Sequence, residues 1–214
     1  MADKEKPSLP FFLSEKEVCG WTGHWHAIRR VLVSGELNSE SLKRTALELV
    51  KLDFISSDPI TLMIDSGGGS VTPTHQLEDT ISILNSPVDA LMIGSCASMA
   101  VDLMQMCRRR LMLPSARILV HYVRNDQRWI CDDLDQLDGD IKYFQERMRE
   151  IAERRLELYQ KRTGLTPGKI KDLFRQGEIH QTYFSAKQAV EMNLADEIVT
   201  DFKLFPRKQD EEKK

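Results

Sequence analysis

Short apolar runs alternate with helically spaced ones through the first half of the chain. Residues 27–34 are rich in β-branched positions and end in Gly35, which predicts a strand and a turn. Asn38-Ser39-Glu40-Ser41 is a capping stretch ahead of Leu42, Ala46, Leu47, Leu49 and Val50, whose spacing predicts a helix. Ile60-Thr61-Leu62-Met63-Ile64 is a buried-strand candidate that runs into Asp65-Ser66-Gly67-Gly68-Gly69-Ser70. Helical spacing follows at Leu77, Ile81 and Leu84. The unit then recurs: residues 88–93 predict a strand, Gly94-Ser95-Cys96-Ala97-Ser98 a loop, and residues 99–106 a helix. Leu111-Met112-Leu113 and Ile118-Leu119-Val120 predict two more short strands about the turn at Pro114-Ser115-Ala116. Strands alternating with helices predict an α/β fold with a largely parallel sheet.

From Leu134 the period changes. Leu134, Leu137, Ile141, Phe144, Met148, Ile151 and Leu158 repeat at alternating spacings of three and four, and Arg155 breaks the stripe once. A long helix with a narrow apolar seam is predicted. Such a helix either lies on its own core or meets a partner helix, and the narrowness of the seam favours the partner. Thr166-Pro167 opens a helix reaching about Arg175, and Ser185-Ala186-Lys187-Gln188 carries a capping-box pattern for one reaching Met192. Residues 196–199 predict a last strand. Residues 1–26 read as an N-terminal arm, 27–200 as one domain and 201–214 as a loose charged tail.

The 214 residues, 41% hydrophobic and 29% charged, describe a globular chain, and its net charge of -3 gives no footprint for nucleic acid. The Arg108-Arg109-Arg110 run reads as a solvated turn. No apolar stretch approaches the about 20 residues that a membrane helix needs, and the charged start of the chain does not read as a secretory signal. Cys19, Cys96, Cys107 and Cys131 are scattered without metal-like spacing and read as reduced thiols, so a cytoplasmic setting is expected. His24 and His26 lack a nearby Cys or acidic partner, and no metal or cofactor is expected.

Two small-residue loops each join an apolar strand to a helix, where α/β proteins place their sites. The run Gly67-Gly68-Gly69 lacks the spacing of nucleotide-binding loops: Thr72 stands where a third glycine would be required, and no Gly-Lys-Ser/Thr follows. Glycines also let backbone N–H groups face a developing oxyanion without obstruction. Ser98 sits at the start of a predicted helix, where it either caps the helix or acts as a nucleophile with the N–H of Met99 beside it. Cys96 and Ala100 differ from the glycines of the usual hydrolase elbow. His121, at the exit of a predicted strand, is either structural or a base. A hydroxyl at neutral pH needs a base to become a nucleophile, so Ser98 and His121 carry a meaning together that neither carries alone.

These segments resemble the Clp protease proteolytic subunit family. Ile64-Asp65-Ser66-Gly67-Gly68-Gly69 is similar to its strand and glycine loop, and Gly94-Ser95-Cys96-Ala97-Ser98-Met99-Ala100 to its nucleophile segment. Leu113-Pro114-Ser115-Ala116-Arg117-Ile118-Leu119-Val120-His121 resembles the segment leading to its base, and residues 185–196 its closing helix. The resemblance, from about Arg30 to Val199, implies a crotonase-like fold of repeated βαβ units with a long protruding handle helix, here the helix from Leu134. It implies a homo-oligomer of heptameric rings stacked in pairs around a proteolytic chamber, polypeptide substrates and a Clp-type AAA+ ATPase partner. It implies Ser98 as nucleophile, His121 as base, and the N–H groups of Gly69 and Met99 as oxyanion hole.

The chain departs from that pattern in four places. The family's third triad residue is an Asp, and Gln181 stands there; loss of that carboxylate costs serine proteases about 10⁴ in rate. Asp172 and Glu178 are the nearby carboxylates that could stand in. Gly67 replaces a Pro, and two residues are missing between Ser98 and His121. Residues 1–26 do not resemble the family's N-terminal axial loop, which bears on docking to the ATPase. Besides the serine endopeptidase, two readings follow: a weakly active or inactive ring subunit serving as scaffold, favoured by Gln181, and an acyl-CoA enzyme of the related crotonase group. The last is disfavoured because that group uses acidic residues where this chain offers Ser98 and His121.

Overall fold

The computed structural model describes residues 28–123, 134–180 and 182–201. The predicted arm over 1–26, with His24 and His26, lies outside them, as do Cys131, Gln181 and all but the first residue of the predicted tail.

The elements in chain order are β1 (Arg30–Leu37), α1 (Ser39–Ile55), β2 (Ile60–Gly69), α2 (Val71–Ile83), β3 (Val88–Ala97), α3 (Met99–Met106), β4 (Arg110–Met112) and β5 (Arg117–Leu119). They continue with α4 (Leu134–Thr163), α5 (Pro167–His180), β6 (Phe184–Ser185), α6 (Ala186–Glu191) and β7 (Glu197–Ile198). The strands form one seven-stranded sheet with the path β1-β2-β3-β4-β7, while β5 pairs with β3 and β6. Every pairing is parallel except β5 with β6. The α/β architecture with a largely parallel sheet is the one the alternating pattern predicts.

Apolar side chains line both faces of the sheet, which is why its strands read as continuous apolar runs. Leu62, Ile64, Ala90 and Met92 face the main core under the helices. Met63, Leu91 and Leu111, one residue out of phase, form a smaller cluster on the opposite face. Helix α1 begins where predicted: the Asn38 side chain accepts from the N–H groups of Glu40 and Ser41, and Ser41 answers as a capping box. Ser185 and Gln188 close the same motif at the start of α6.

Strands β2 and β3 are longer than the sequence predicts, β1 is shifted toward its C-terminal end, and β7 is shorter. β1 continues through Gly35, whose φ of 73° accommodates a bulge between Ser34 and Glu36. β2 runs through the glycine loop to Gly69, and β3 runs to Ala97, so both expected loops are strand ends. Small residues hid this, because glycine and serine read as punctuation while the ladder needs only their backbone. Strand β6 carries no hydrophobic period in its two residues and was not foreseen, and α5 extends past Arg175 to His180.

The arginine run is not a solvated turn throughout. Arg108 pairs with Asp89 at 2.7 Å, and Arg109 with Glu197 at 2.9 Å. Arg110 is buried in β4. Its guanidinium holds Asp196 through Nη2 and through Nε at 3.1 Å, and Nη1 reaches Gln105 Oε1 at 2.6 Å and the Asn193 carbonyl at 2.9 Å. Burial disfavours the charged form of Asp196, but the Arg110 hydrogen bonds outweigh it and hold the carboxyl below its ordinary range. One side chain thus ties α3 to the turn that feeds β7. Replacing Arg110 with Met is expected to cost about 3 kcal/mol, less than a fully buried pair because Asp196 keeps access to water. Urea unfolding of the two proteins checks this, and a difference under about 0.5 kcal/mol, the usual size for a surface change, would contradict the assigned role.

Candidate active site

Ser98 stands between the end of β3 and the first residue of α3. Its backbone takes φ 56° and ψ −129°, a left-handed conformation that costs a non-glycine residue on the order of 1–3 kcal/mol. It is the N-cap of α3, yet its side chain makes no capping hydrogen bond; Ser70 at the start of α2 makes none either, but with an ordinary extended backbone, whereas Asn38 and Ser185 both cap. The capping role that a serine most often has in this place is therefore not the one its hydroxyl fills.

Three surrounding contacts fix the turn. The Ser98 N–H donates to the Leu119 carbonyl at 2.8 Å, continuing a register in which Cys96 stands level with Ile118 and Ala97 with Leu119. Asp65 Oδ1 accepts from the Ser95 N–H at 2.8 Å. The glycine loop lies directly against the junction: a Cβ on Gly68, which has φ 95°, would fall 2.6 Å from the Ala97 carbonyl oxygen, 2.6 Å from Ser98 Cβ and 3.0 Å from the Met99 nitrogen. The Gly68 N–H donates to Ser66 Oγ at 3.0 Å, and that hydroxyl donates to the Gly35 carbonyl at 2.6 Å. Gly69 packs on Leu37 with φ 156°.

His121 leaves β5 two residues after Leu119, on the segment beside Ser98, and its side chain is half-buried. The fold thus gathers Ser98, Met99, the glycine loop and the start of the His121 segment at one end of the sheet. The fourth position, Gln181, lies outside the described residues. Of the two alternative carboxylates, Asp172 is exposed and accepts from Arg175 at 2.8 Å, and the side chain of Glu178 is not among those described.

Charge below the junction is buried. Asp102, one turn along α3 from Ser98, is held by Arg155 at 2.6 Å and by the Tyr159 hydroxyl at 2.8 Å. Burial, then the Asp102 charge, push the Tyr159 hydroxyl well above its ordinary range, so it stays a donor. Glu78 on α2 is 1% exposed and meets the half-exposed Arg154 at 3.1 Å. Burial first, and repulsion from Asp102 second, push its carboxyl up to about 8, outweighing the pull of Arg154. Cys96 and Cys107 are wholly buried, and desolvation raises both thiols, so both stay protonated and inert. Sequence reasoning missed Asp102 and Glu78 as buried charges, although Asp102 is the lone charge in the apolar run of residues 99–106.

A largely parallel sheet that presents a serine at a strained strand-to-helix turn, beside backbone amides, defines the class: an α/β protein with a small-residue strand-to-helix turn at the sheet's end. Comparison with known proteins narrows it. The Clp protease family profile matches residues 17–202. ATP-dependent Clp protease proteolytic subunit 1 of Protochlamydia amoebophila (strain UWE25) is 26% identical over 207 residues, covering 94% of this chain and 92% of that protein. The chain belongs to the Clp protease family. Among the described residues, no helix is long and apolar enough to cross a membrane.

Two outcomes follow from the site's geometry. Gly68→Ala is expected to disturb the Ser98 turn, since both the positive φ and the contact with Ser98 Cβ exclude a methyl group. Labelling of Ser98 by a fluorophosphonate should fall at least about tenfold, as expected when reacting groups shift by a fraction of an ångström; wild-type labelling of a folded variant would contradict the close packing. Glu78→Gln is expected to stabilise the protein increasingly as pH rises. The unfolded chain loses the Glu78 proton near 4.5 and the folded chain only near 8, so stability from this group is full below 4.5 and declines up to 8. The stability difference between variant and parent, measured by urea unfolding from pH 5 to 8, should grow with pH; a flat difference would contradict the buried neutral carboxyl.

Proposed function

We propose that the chain is a serine endopeptidase that hydrolyses unfolded polypeptides through an acyl-enzyme on Ser98, with His121 as general base. Membership of the Clp protease family supports a Clp-type serine peptidase. The observation that carries the residue assignment is the strained Ser98 backbone with its hydroxyl withheld from capping. Strain of this kind persists only where surrounding structure imposes it.

In this reading Ser98 Oγ attacks the substrate carbonyl carbon while its proton passes to His121. The negative charge that develops on the carbonyl oxygen is met by the N–H groups of Gly69 and Met99. Of the two glycine amides nearest the junction, that of Gly68 is already engaged with Ser66 Oγ, which favours Gly69. The tetrahedral species collapses, the C–N bond breaks, and the leaving amine takes the proton from His121. Water then attacks the Ser98 ester, again with His121 as base, and releases the acid. Gln181 at the third position carries no charge to stabilise the imidazolium, so Ser98 and His121 work as a dyad and turnover is slow.

The family resemblance extends the reading to an oligomeric chamber of heptameric rings stacked in pairs, with the 30-residue helix α4 as the interlocking handle and an AAA+ ATPase delivering substrate. The relative from Protochlamydia is named an ATP-dependent proteolytic subunit, which favours such a partner. A second reading, a catalytically weak or inactive ring subunit acting as scaffold or regulator, rests on Gln181 in the sequence, and family membership does not favour it.

Fluorophosphonate labelling and casein cleavage by the wild type and Ser98→Ala separate these. Weak cleavage and labelling in the wild type, both lost in the variant, is the expected result. Equal cleavage by the two proteins would remove Ser98 from the mechanism, and a folded oligomer that takes no label would favour the scaffold.

A further inference from the structure

The residue that interrupts the apolar seam of α4 and the lone charge of α3 face each other. Arg155 and Asp102 are 4% and 1% exposed at their side chains. Arg155 Nε donates to Asp102 Oδ2 at 2.6 Å and Nη2 to Oδ1 at 3.2 Å. Tyr159 supplies a third bond to the carboxylate, and the guanidinium carbon lies 4.5 Å from the centre of the Phe174 ring. The remaining guanidinium nitrogen, Nη1, donates to the main-chain carbonyl of His121 at 3.0 Å. One planar cation therefore bridges the helix that begins after Ser98 and the backbone of His121.

The placement of that second bond matters. β5 ends at Leu119, so at His121 the main chain has left the sheet ladder. A charge-assisted bond to its carbonyl is stronger than a neutral one. The rigid fork of the guanidinium also fixes carbonyl and carboxylate relative to each other, which a flexible ammonium cannot do. Asp102 is four residues, about one turn, along the helix from Ser98.

We propose that Arg155 is a positioning residue for hydrolysis: anchored on Asp102, it fixes where His121 leaves β5 relative to the helix start that carries Ser98. The inference rests on the Ser98–His121 reading above. It is opposed by a plainer role, a buried ion pair that fills space. Such pairs are often replaceable by apolar residues without loss of stability, and that contrast yields the test.

Three full-length proteins are compared: the wild type, Arg155→Lys, and the combined variant Arg155→Met, Asp102→Leu, Tyr159→Phe, which removes the buried ion pair and the hydroxyl bonded to it together. Fluorophosphonate labelling at Ser98 is resolved into the maximal rate of inactivation and the half-saturating probe concentration, alongside the thermal midpoint. Lysine keeps a charge against Asp102 but cannot also hold the His121 carbonyl. It should lower the maximal rate at least about tenfold, in keeping with the sensitivity of rate to small displacements, while half-saturation stays unchanged. The combined variant should keep its thermal midpoint and show the same fall in rate. A folded combined variant that labels at the wild-type rate would overturn the proposal, as would a change confined to half-saturation. If the combined variant does not fold, Arg155→Lys decides: a slow rate supports the tether and a wild-type rate overturns it. A wild type that takes no label removes the serine reading and this inference with it, whereas labelling unchanged across all three removes this inference alone.

Discussion

The arrangement of the site depends on one strand edge that serves two partners. β3 pairs with β4 through residues 90–92 and with β5 through residues 95–97, both in parallel. Because β5 follows the upper half of β3, its exit and the exit of β3 lie at the same level. The hydrogen bond from the Ser98 N–H to the Leu119 carbonyl is the last rung of that pairing. It brings the start of α3 beside the segment that carries His121, and the glycine loop at the end of β2 closes the third side. A slip of one residue in that register would turn every side chain of β5 to the opposite face and carry His121 away with it.

The architecture was largely legible in the sequence because its signals are local. Apolar runs separated by capped helices give the parallel sheet, and Asn38 and Ser185 mark helix starts that the structure reproduces with both capping boxes closed. The strand ends were not legible. Asp65 to Gly69 and Gly94 to Ala97 have the composition of loops, but their backbones belong to the ladder, and that pairing is decided by neighbours far along the chain. Gly35 reads as a turn and instead forms a bulge, a distinction set by its partner strand.

For the site, Ser98 and the glycine loop could be singled out from sequence as candidates, but the closeness of Gly68 to Ser98 is tertiary information. The same holds for the buried charges. Arg155 stands out in the sequence as a break in the helical seam, whereas Asp102, fifty-three positions away, is not singled out, and nothing local says that one explains the other. Arg110 was read as part of a solvated run for the same reason: its partner, Asp196, arrives from the other end of the chain. Among the described residues, buried charge is thus organised by pairs whose members are separated in sequence, joined by helix packing at Asp102 and by the sheet edge at Arg110.

The conformation of residue 98 sets the demands of folding against those of chemistry. A glycine would adopt φ 56° without the penalty that serine carries there. On the proposed nucleophile reading, selection for heat tolerance alone would let position 98 drift among the first, toward a sturdier protein without activity. Thermal robustness in variants of this chain is therefore no proxy for competence, and a gain in the first can mark the loss of the second.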